Sequence, residues 1–273
     1  MEPASDGASL TFVGTATTVL RIGGFTLMTD PNFLRRGQRA YLGYGLSTRR
    51  LTEPAMGPAD LPSLDAVLLS HLHGDHFDRV ARRSLPRDVP VVTTRQAARR
   101  LGRRGFHACS ALRTWQSHTL ERPGERLRVT AVPAVHGPGP VNALLPEVMG
   151  SVLEWERPGR PTLRLYVTGD TLYRRRLREL TERFPELDAM VVHLGGTRIL
   201  GVLVSMDHGQ GADLVDLLRP RLTVPVHLDD YGVFHSSPDG FAAEVRRRDL
   251  PCRVGLVGRG ETIALAAGQA STP

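Results

Sequence analysis

The chain has 273 residues, two cysteines and a formal net charge of +7, with 41% hydrophobic and 23% charged residues. That is globular composition with enough apolar material for a sizeable core. No apolar run approaches the ~20 residues of a membrane span, "MEPASDGASL" lacks the basic and apolar regions of a secretory signal, and cysteines outside any CxxC pair exclude a disulfide framework and suit a reducing cytoplasm.

In chain order, β-rich runs fall at "SLTFVG", "TTVLRI" and "FTLMTD", with "RIGGFT" reading as a Gly-Gly hairpin. Residues 31–64 follow as a long loop rich in Gly, Pro and Arg, a length usually reserved for function. "DAVLLS" and "VPVVTT" are the next strands, then "LRVTAVPAVH", "GSVLEWE", "LRLYVTGD", "DAMVVHL", "RLTVPVH" and "RVGLVG". Helical patterns lie between them near 75–84, 95–103, 171–183, 208–218 and 238–248. The pattern predicts one α/β domain over residues 1–273, with helices packed outside sheets and a frayed tail at each end.

All 35 basic residues are arginine, as the coding bias of a GC-rich bacterial genome would produce. Apart from "YRRRLREL" and "EVRRRDL" they are dispersed, and on helices such clusters read as solvated faces rather than a phosphate-tracking stripe. No stable nucleic-acid partner is therefore expected.

The chemistry concentrates in "LLSHLHGDHFD". In an extended segment alternate side chains share a face, so His71 and His73 can address one point. Gly74 permits the sharp turn that would aim Asp75 and His76 at an adjacent point, the arrangement a metal pair ~3.5–4 Å apart requires. A solvated polar turn is the bland alternative. Three later β-rich runs end in a further donor, His136, Asp170 and His227, where strand ends of α/β folds gather functional groups.

His71-Leu72-His73-Gly74-Asp75-His76 resembles the HxHxDH signature of the metallo-β-lactamase superfamily, with His136, Asp170 and His227 following in the expected order. The flanks "FVGTATTVLRIGGFTLMTDPNF" and "PVHLDDYGVFHSSPDGF" are most similar to the branch holding ascorbate-phosphate lactonases and N-acylphosphatidylethanolamine-hydrolysing phospholipase D. The resemblance implies a four-layer αββα sandwich and two divalent metal ions, Zn²⁺ first, with Mn²⁺ or Fe as alternatives. His71, His73 and His136 would hold one ion and Asp75, His76 and His227 the other, with Asp170 bridging. Asp30 matches a residue that orients ligands from behind, and His193, at another strand end, is a candidate for the same shell.

Hydrolysis by metal-activated hydroxide is then the expected reaction, and Asp75, His208, Tyr231 and His235 are candidates for protonating the leaving group. Arg35, Arg36, Arg39, Arg49 and Arg50 in the long loop could pair with phosphate. Tyr41 and Tyr44 could wall an apolar group or instead pin the loop to the core. His107 and His118 are expected to be structural or exposed. Three functions compete: a phosphodiesterase acting on an anionic small molecule or lipid, a lactonase or other ester or amide hydrolase, and a nucleic-acid binder with incidental metals. Lactonase-type relatives are often oligomeric, so a homo-oligomer is a further expectation of the resemblance.

Overall fold

The computed structural model describes residues 7–266, so nearly all of both predicted tails lies outside the described residues. The chain opens with an antiparallel meander, β1 (Ala8–Gly14), β2 (Thr17–Ile22) and β3 (Phe25–Thr29). The Gly-Gly turn between β2 and β3 demands glycine: Gly23 has φ +55°, and a Cβ there would fall 2.3 Å from the Trp155 ring. Within residues 31–64 the sequence reading expects a loop, but the structure has a hairpin, β4 (Arg39–Gly43) with β5 (Leu46–Arg49), and a 3-10 turn at Pro58–Asp60. The chain then enters β6 (Ala66–Leu69), helix α1 (Arg79–Ser84), β7 (Val91–Thr94), helix α2 (Arg95–Gly102) and β8 (Cys109–Leu112).

The second half begins with β9 (Ser117–Arg122) and β10 (Glu125–Val132), then the short helix α3 (Val141–Leu144), β11 (Gly150–Glu156) and β12 (Leu163–Val167). Helix α4 (Glu179–Arg183), β13 (Ala189–His193), the small hairpin of β14 (Arg198–Ile199) and β15 (Val202–Leu203), and helix α5 (His208–Leu218) follow. Last come β16 (Leu222–Val226), helix α6 (Pro238–Arg247), β17 (Arg253–Val254) and β18 (Thr262–Ala266).

Two seven-stranded sheets result, ordered β18-β1-β2-β3-β6-β7-β8 and β17-β16-β13-β12-β11-β10-β9. Strands β6, β7, β13 and β16 are buried along their whole length, as near-continuous apolar runs in parallel pairing require. Three apolar layers separate the elements. Leu10, Leu20, Leu27 and Leu68 meet Leu127, Leu153, Leu165 and Val224 between the sheets. Met28, Val67 and Val91 pack beneath Ala81, Ala97 and Leu101 of α1 and α2. Val152, Tyr166 and Met190 pack beneath Leu180, Leu214 and Phe241 of α4, α5 and α6. The layers therefore run helix, sheet, sheet, helix.

The run "RVGLVG" yields only the two-residue β17, and three further boundaries that differ from the sequence reading have local causes. The helix expected from residue 75 starts at Arg79, because Asp78 is its N-cap and accepts the Ala81 N–H at 2.7 Å. The helix expected from 171 shrinks to a 3-10 turn at Arg175–Arg178 and α4, because the Leu172 and Tyr173 N–H groups are engaged by Val135 O and Gln210 Oε1. Strand β10 stops at Val132, just before Pro133, which has no N–H to continue a ladder, so His136 lies in irregular chain beyond the strand end.

Candidate metal centre

The HxHxDH segment sits directly after β6. His76 N–H and Phe77 N–H both donate to His73 O, at 3.1 and 2.9 Å, closing the turn that swings Asp75 and His76 back toward His71. Gly74 is required by a close approach rather than by its φ. Its N–H donates to Tyr41 O at 2.9 Å, and a Cβ would fall 2.7 Å from both Tyr41 N and Tyr41 O. The β4–β5 hairpin thus lies against the motif. Asn32 Nδ2 holds the Gly74 carbonyl at 2.9 Å from the other side.

All seven ligand-type residues named by the resemblance converge, and all are buried. His73 Nδ1 lies 3.0 Å from His71 Nε2 and 3.1 Å from His136 Nε2. His227 Nε2 lies 3.1 Å from His76 Nε2 and 3.4 Å from Asp75 Oδ2. Asp170 stands between the trios, with Oδ1 3.5 Å from His76 Nε2 and Oδ2 4.0 Å from His136 Nε2. Within each trio the donor atoms lie within 4.8 Å of one another, as they do for His71, His76 and Asp170.

Groups behind the donors settle which nitrogen faces inward. Ser70 gives its single hydroxyl proton to Asp30 Oδ2 at 2.8 Å, so at His71 it can only accept, from Nδ1–H at 3.0 Å. His76 Nδ1–H donates to Asp30 Oδ2 at 3.0 Å, and His136 Nδ1–H to Val204 O at 2.8 Å. Each pairing occupies Nδ1 and leaves Nε2 as the nitrogen facing the cluster, the orienting role such partners play at metal-binding histidines. Asp30 and His227 adopt φ +37° and +63°, left-handed backbone that a non-glycine residue holds only when its surroundings dictate it.

The electrostatics fit divalent cations. Burial pushes His71, His73 and His136 below the ordinary imidazole range, His73 to about 3, and neighbouring imidazoles add to the effect, so these rings are neutral donors. Burial disfavours charge on Asp30, yet His76 and His193 hold it down to about 2. Burial also disfavours charge on His76, but Asp170, Asp30 and Asp75 outweigh it and raise its pKa. Three buried carboxylates thus call for positive charge at the place where the lone pairs meet. Asp75 Oδ1 and Asp170 Oδ1 have no hydrogen-bond donor, a costly state for buried carboxylate oxygens that bound cations would relieve.

Of the other predicted residues, Asp30 and His193 lie behind the cluster. His193 Nε2 is 3.6 Å from Asp30 Oδ2, and its Nδ1 pairs with Thr168 Oγ1 at 3.2 Å. The other candidates for proton donor are Tyr231, His208 and His235. Tyr231 is buried with its hydroxyl donating to Asn32 Oδ1 at 3.0 Å, and burial raises its pKa. His208 Nε2 accepts the Ser237 N–H at 2.8 Å, tying α5 to α6. His235 is exposed and shares with His208 a cleft of about 340 Å³ lined by Gly196, Arg198 and Asp207. Neither histidine belongs to the ligand groups.

Arg35, Arg36 and Arg39 are exposed, as are Tyr41 and Tyr44, so the tyrosines do not pin the segment. Ala40 and Leu34, packed with Tyr231, do that. Arg50, expected with the other loop arginines to meet phosphate, is instead fully buried against Asn32 and Asp230 and takes a structural place. Residues the sequence reading missed are Ser70, Asn32 and Thr168. The first two had a local signal, adjacency to His71 and to the Asp30-Pro31 turn; Thr168 had only its place at the end of β12.

The model of the beta-lactamase superfamily domain matches residues 27–228. A UPF0173 metal-dependent hydrolase of Anaeromyxobacter sp. (strain K) is 29% identical over 211 residues, 74% of this chain and 72% of that protein. The isothiocyanate hydrolase from Delia radicum gut bacteria superposes with a TM-score of 0.78 at 20% identity, over 95% of this chain and 100% of that one. Igni18, a metallo hydrolase of Ignicoccus hospitalis, gives 0.68 at 21% identity, over 94% and 97%. With the family match spanning most of the sequence and the layered fold and clustered donors described above, this chain belongs to the beta-lactamase superfamily.

Proposed function

We propose that the protein is a metal-dependent hydrolase holding two divalent ions, one on His71, His73 and His136, the other on Asp75, His76 and His227, with Asp170 reaching both. The observation that carries this reading is the convergence of seven buried donors with their inward nitrogens already oriented. Their nitrogen and oxygen character favours Zn²⁺, with Mn²⁺ or Fe as the alternatives. Held by these residues, divalent ions would supply Lewis acidity, lowering the pKa of water and polarising the attacked group.

The chain's own groups do the rest. Asp30 and Ser70 keep His71 and His76 in the ligating tautomer. Asp75 presents Oδ2 toward His227 and has a second oxygen free of donors, which suits it to take a proton from the nucleophile and pass it to the leaving group. The β4–β5 hairpin, resting on Gly74, brings the Arg39 and Arg49 strands beside the centre. That supports an anionic substrate, with a phosphodiester or another phosphate-bearing small molecule or lipid favoured. A second reading, hydrolysis of a lactone or other acyl or uncharged electrophile, is supported by exposed Tyr41 and Tyr44 on the same hairpin and by the isothiocyanate hydrolase among the structural neighbours.

The test is metal content and turnover of bis(p-nitrophenyl) phosphate by protein reconstituted with Zn²⁺ or Mn²⁺, with Asp75→Ala alongside. Metal-dependent turnover that falls at least 10²-fold in the variant is expected. Two bound metals without phosphodiester turnover would shift the assignment to acyl substrates, and protein that binds no metal would overturn it.

A further inference from the structure

Among the described residues seven large hydrophobic side chains are exposed, and five of them sit on three projections rooted at the metal-centre backbone. The β4–β5 hairpin, whose Tyr41 carbonyl accepts the Gly74 N–H, carries Tyr41 (61% exposed), Tyr44 (72%) and Leu46 (46%). The segment after His136, tied back by the His136 N–H to Asn142 Oδ1 bond, carries Leu144 (60%). The β14–β15 hairpin, which runs into the Val204 carbonyl that orients His136, carries Leu200 (99%) at its tip. Large apolar side chains held this far into water, on separate elements around one centre, mark a surface meant to be covered.

The charges around them select the cover. On the three projections Arg35, Arg36, Arg39, Arg49 and Arg198 are all exposed, and they outnumber the acids at their bases, Glu53, Glu147 and Asp207. Two copies of such a rim would bring like charges together. An anionic lipid surface would instead take the aromatic and leucine tips into its interface and the guanidinium groups at its phosphates, the division of labour of interfacial proteins. We propose that this rim docks the protein on anionic lipid surfaces, with the metal centre facing the lipid headgroups. The docking deepens the phosphate-directed reading above but does not depend on it, because binding is measured without turnover.

The experiment is co-sedimentation of the full chain with phosphatidylglycerol-containing vesicles and with pure phosphatidylcholine vesicles. Binding to the anionic vesicles alone, weakened by salt, is expected. The double variant Leu144→Asp/Leu200→Asp should lose at least tenfold in vesicle affinity, while keeping the wild-type melting temperature and wild-type turnover of soluble bis(p-nitrophenyl) phosphate. Leu256→Asp, at an exposed leucine outside the three projections, should bind as wild type. No vesicle binding, equal binding to both vesicles, or binding indifferent to the double variant would overturn the proposal. So would a homodimer in light scattering that the double variant dissolves, since the rim's partner would then be a second copy. Loss of soluble-substrate turnover in wild-type protein would count against the hydrolase reading and leave the vesicle result standing.

Discussion

Asn32 does more than its place in a loop suggests. Its amide nitrogen holds Gly74 O, and its side-chain oxygen receives both Arg50 Nη1 and the Tyr231 hydroxyl. Asn32→Ala should cost about 2–3 kcal/mol in denaturant unfolding, because it leaves the buried Tyr231 hydroxyl without its acceptor and removes one of the acceptors of the buried Arg50 guanidinium. Asp30→Asn acts nearer the ligands. It removes the acceptor that fixes His76 and, through Ser70, His71, so metal affinity should fall about 10–100-fold by competitive chelator titration. His118, on β9, pairs with Ser110 Oγ at 3.1 Å, away from the ligand groups. His118→Ala should therefore leave turnover within a few-fold of wild type, and a collapse in rate would contradict its structural assignment. Asp230 supplies a pH signature. Burial alone would raise its pKa, but Arg259, Thr52 and Arg50 together lower it. A carboxylate depressed in the folded state contributes its full stability above the unfolded pKa of about 4 and loses it as pH falls through the folded value. The stability gap between wild type and Asp230→Asn should accordingly be widest near neutrality and narrow below about pH 4 in thermal melts.

At the scale of elements, what the sequence makes legible follows from periodicity and caps. The buried runs "AVLL", "AMVVH" and "LTVPV" are strands as their composition demands, and α5 begins where Asp207 caps it and ends at Leu218 as expected. Most short or edge strands were invisible, although "RVGLVG" did mark β17. β9 and β8 are half exposed and short of large apolar residues, and the β4–β5 hairpin hides in a stretch rich in arginine and glycine. The ligands were legible because the motif is contiguous and its partners follow apolar runs. The hydrogen bonds behind them were not, since Asp30 and Ser70 are 40 residues apart and His136 and Val204 are 68 apart. The hairpin's seat gives a test at this scale. Gly74→Ala would drive a methyl into Tyr41 backbone that has no side-chain freedom with which to yield. Turnover should drop at least tenfold as hairpin and motif part, with far-ultraviolet circular dichroism unchanged.

At the scale of the whole molecule, the donors are divided between the two sheets. His71, His73, Asp75 and His76 follow β6 of the first sheet, while His136, Asp170 and His227 follow β10, β12 and β16 of the second. Cations held between them would tie the sandwich together along one edge, and binding of that kind stabilises the folded state by about 4 kcal/mol at a thousandfold excess over Kd. Removal of metal by chelation should lower the melting temperature by several degrees, and Zn²⁺ added back should restore it.

The return of β18 to the free side of β1 has a consequence for how this molecule is made. Thr11 meets Thr262 across 251 residues, and until the chain has been synthesised through that point β1 presents an open edge of unpaired backbone groups. Every other strand of the two sheets precedes β18 in the chain, so the pairing that covers this side of β1 is the last that synthesis can supply. A chain cut short before Thr262 would keep the whole metal centre and still carry a sticky seam along its first strand.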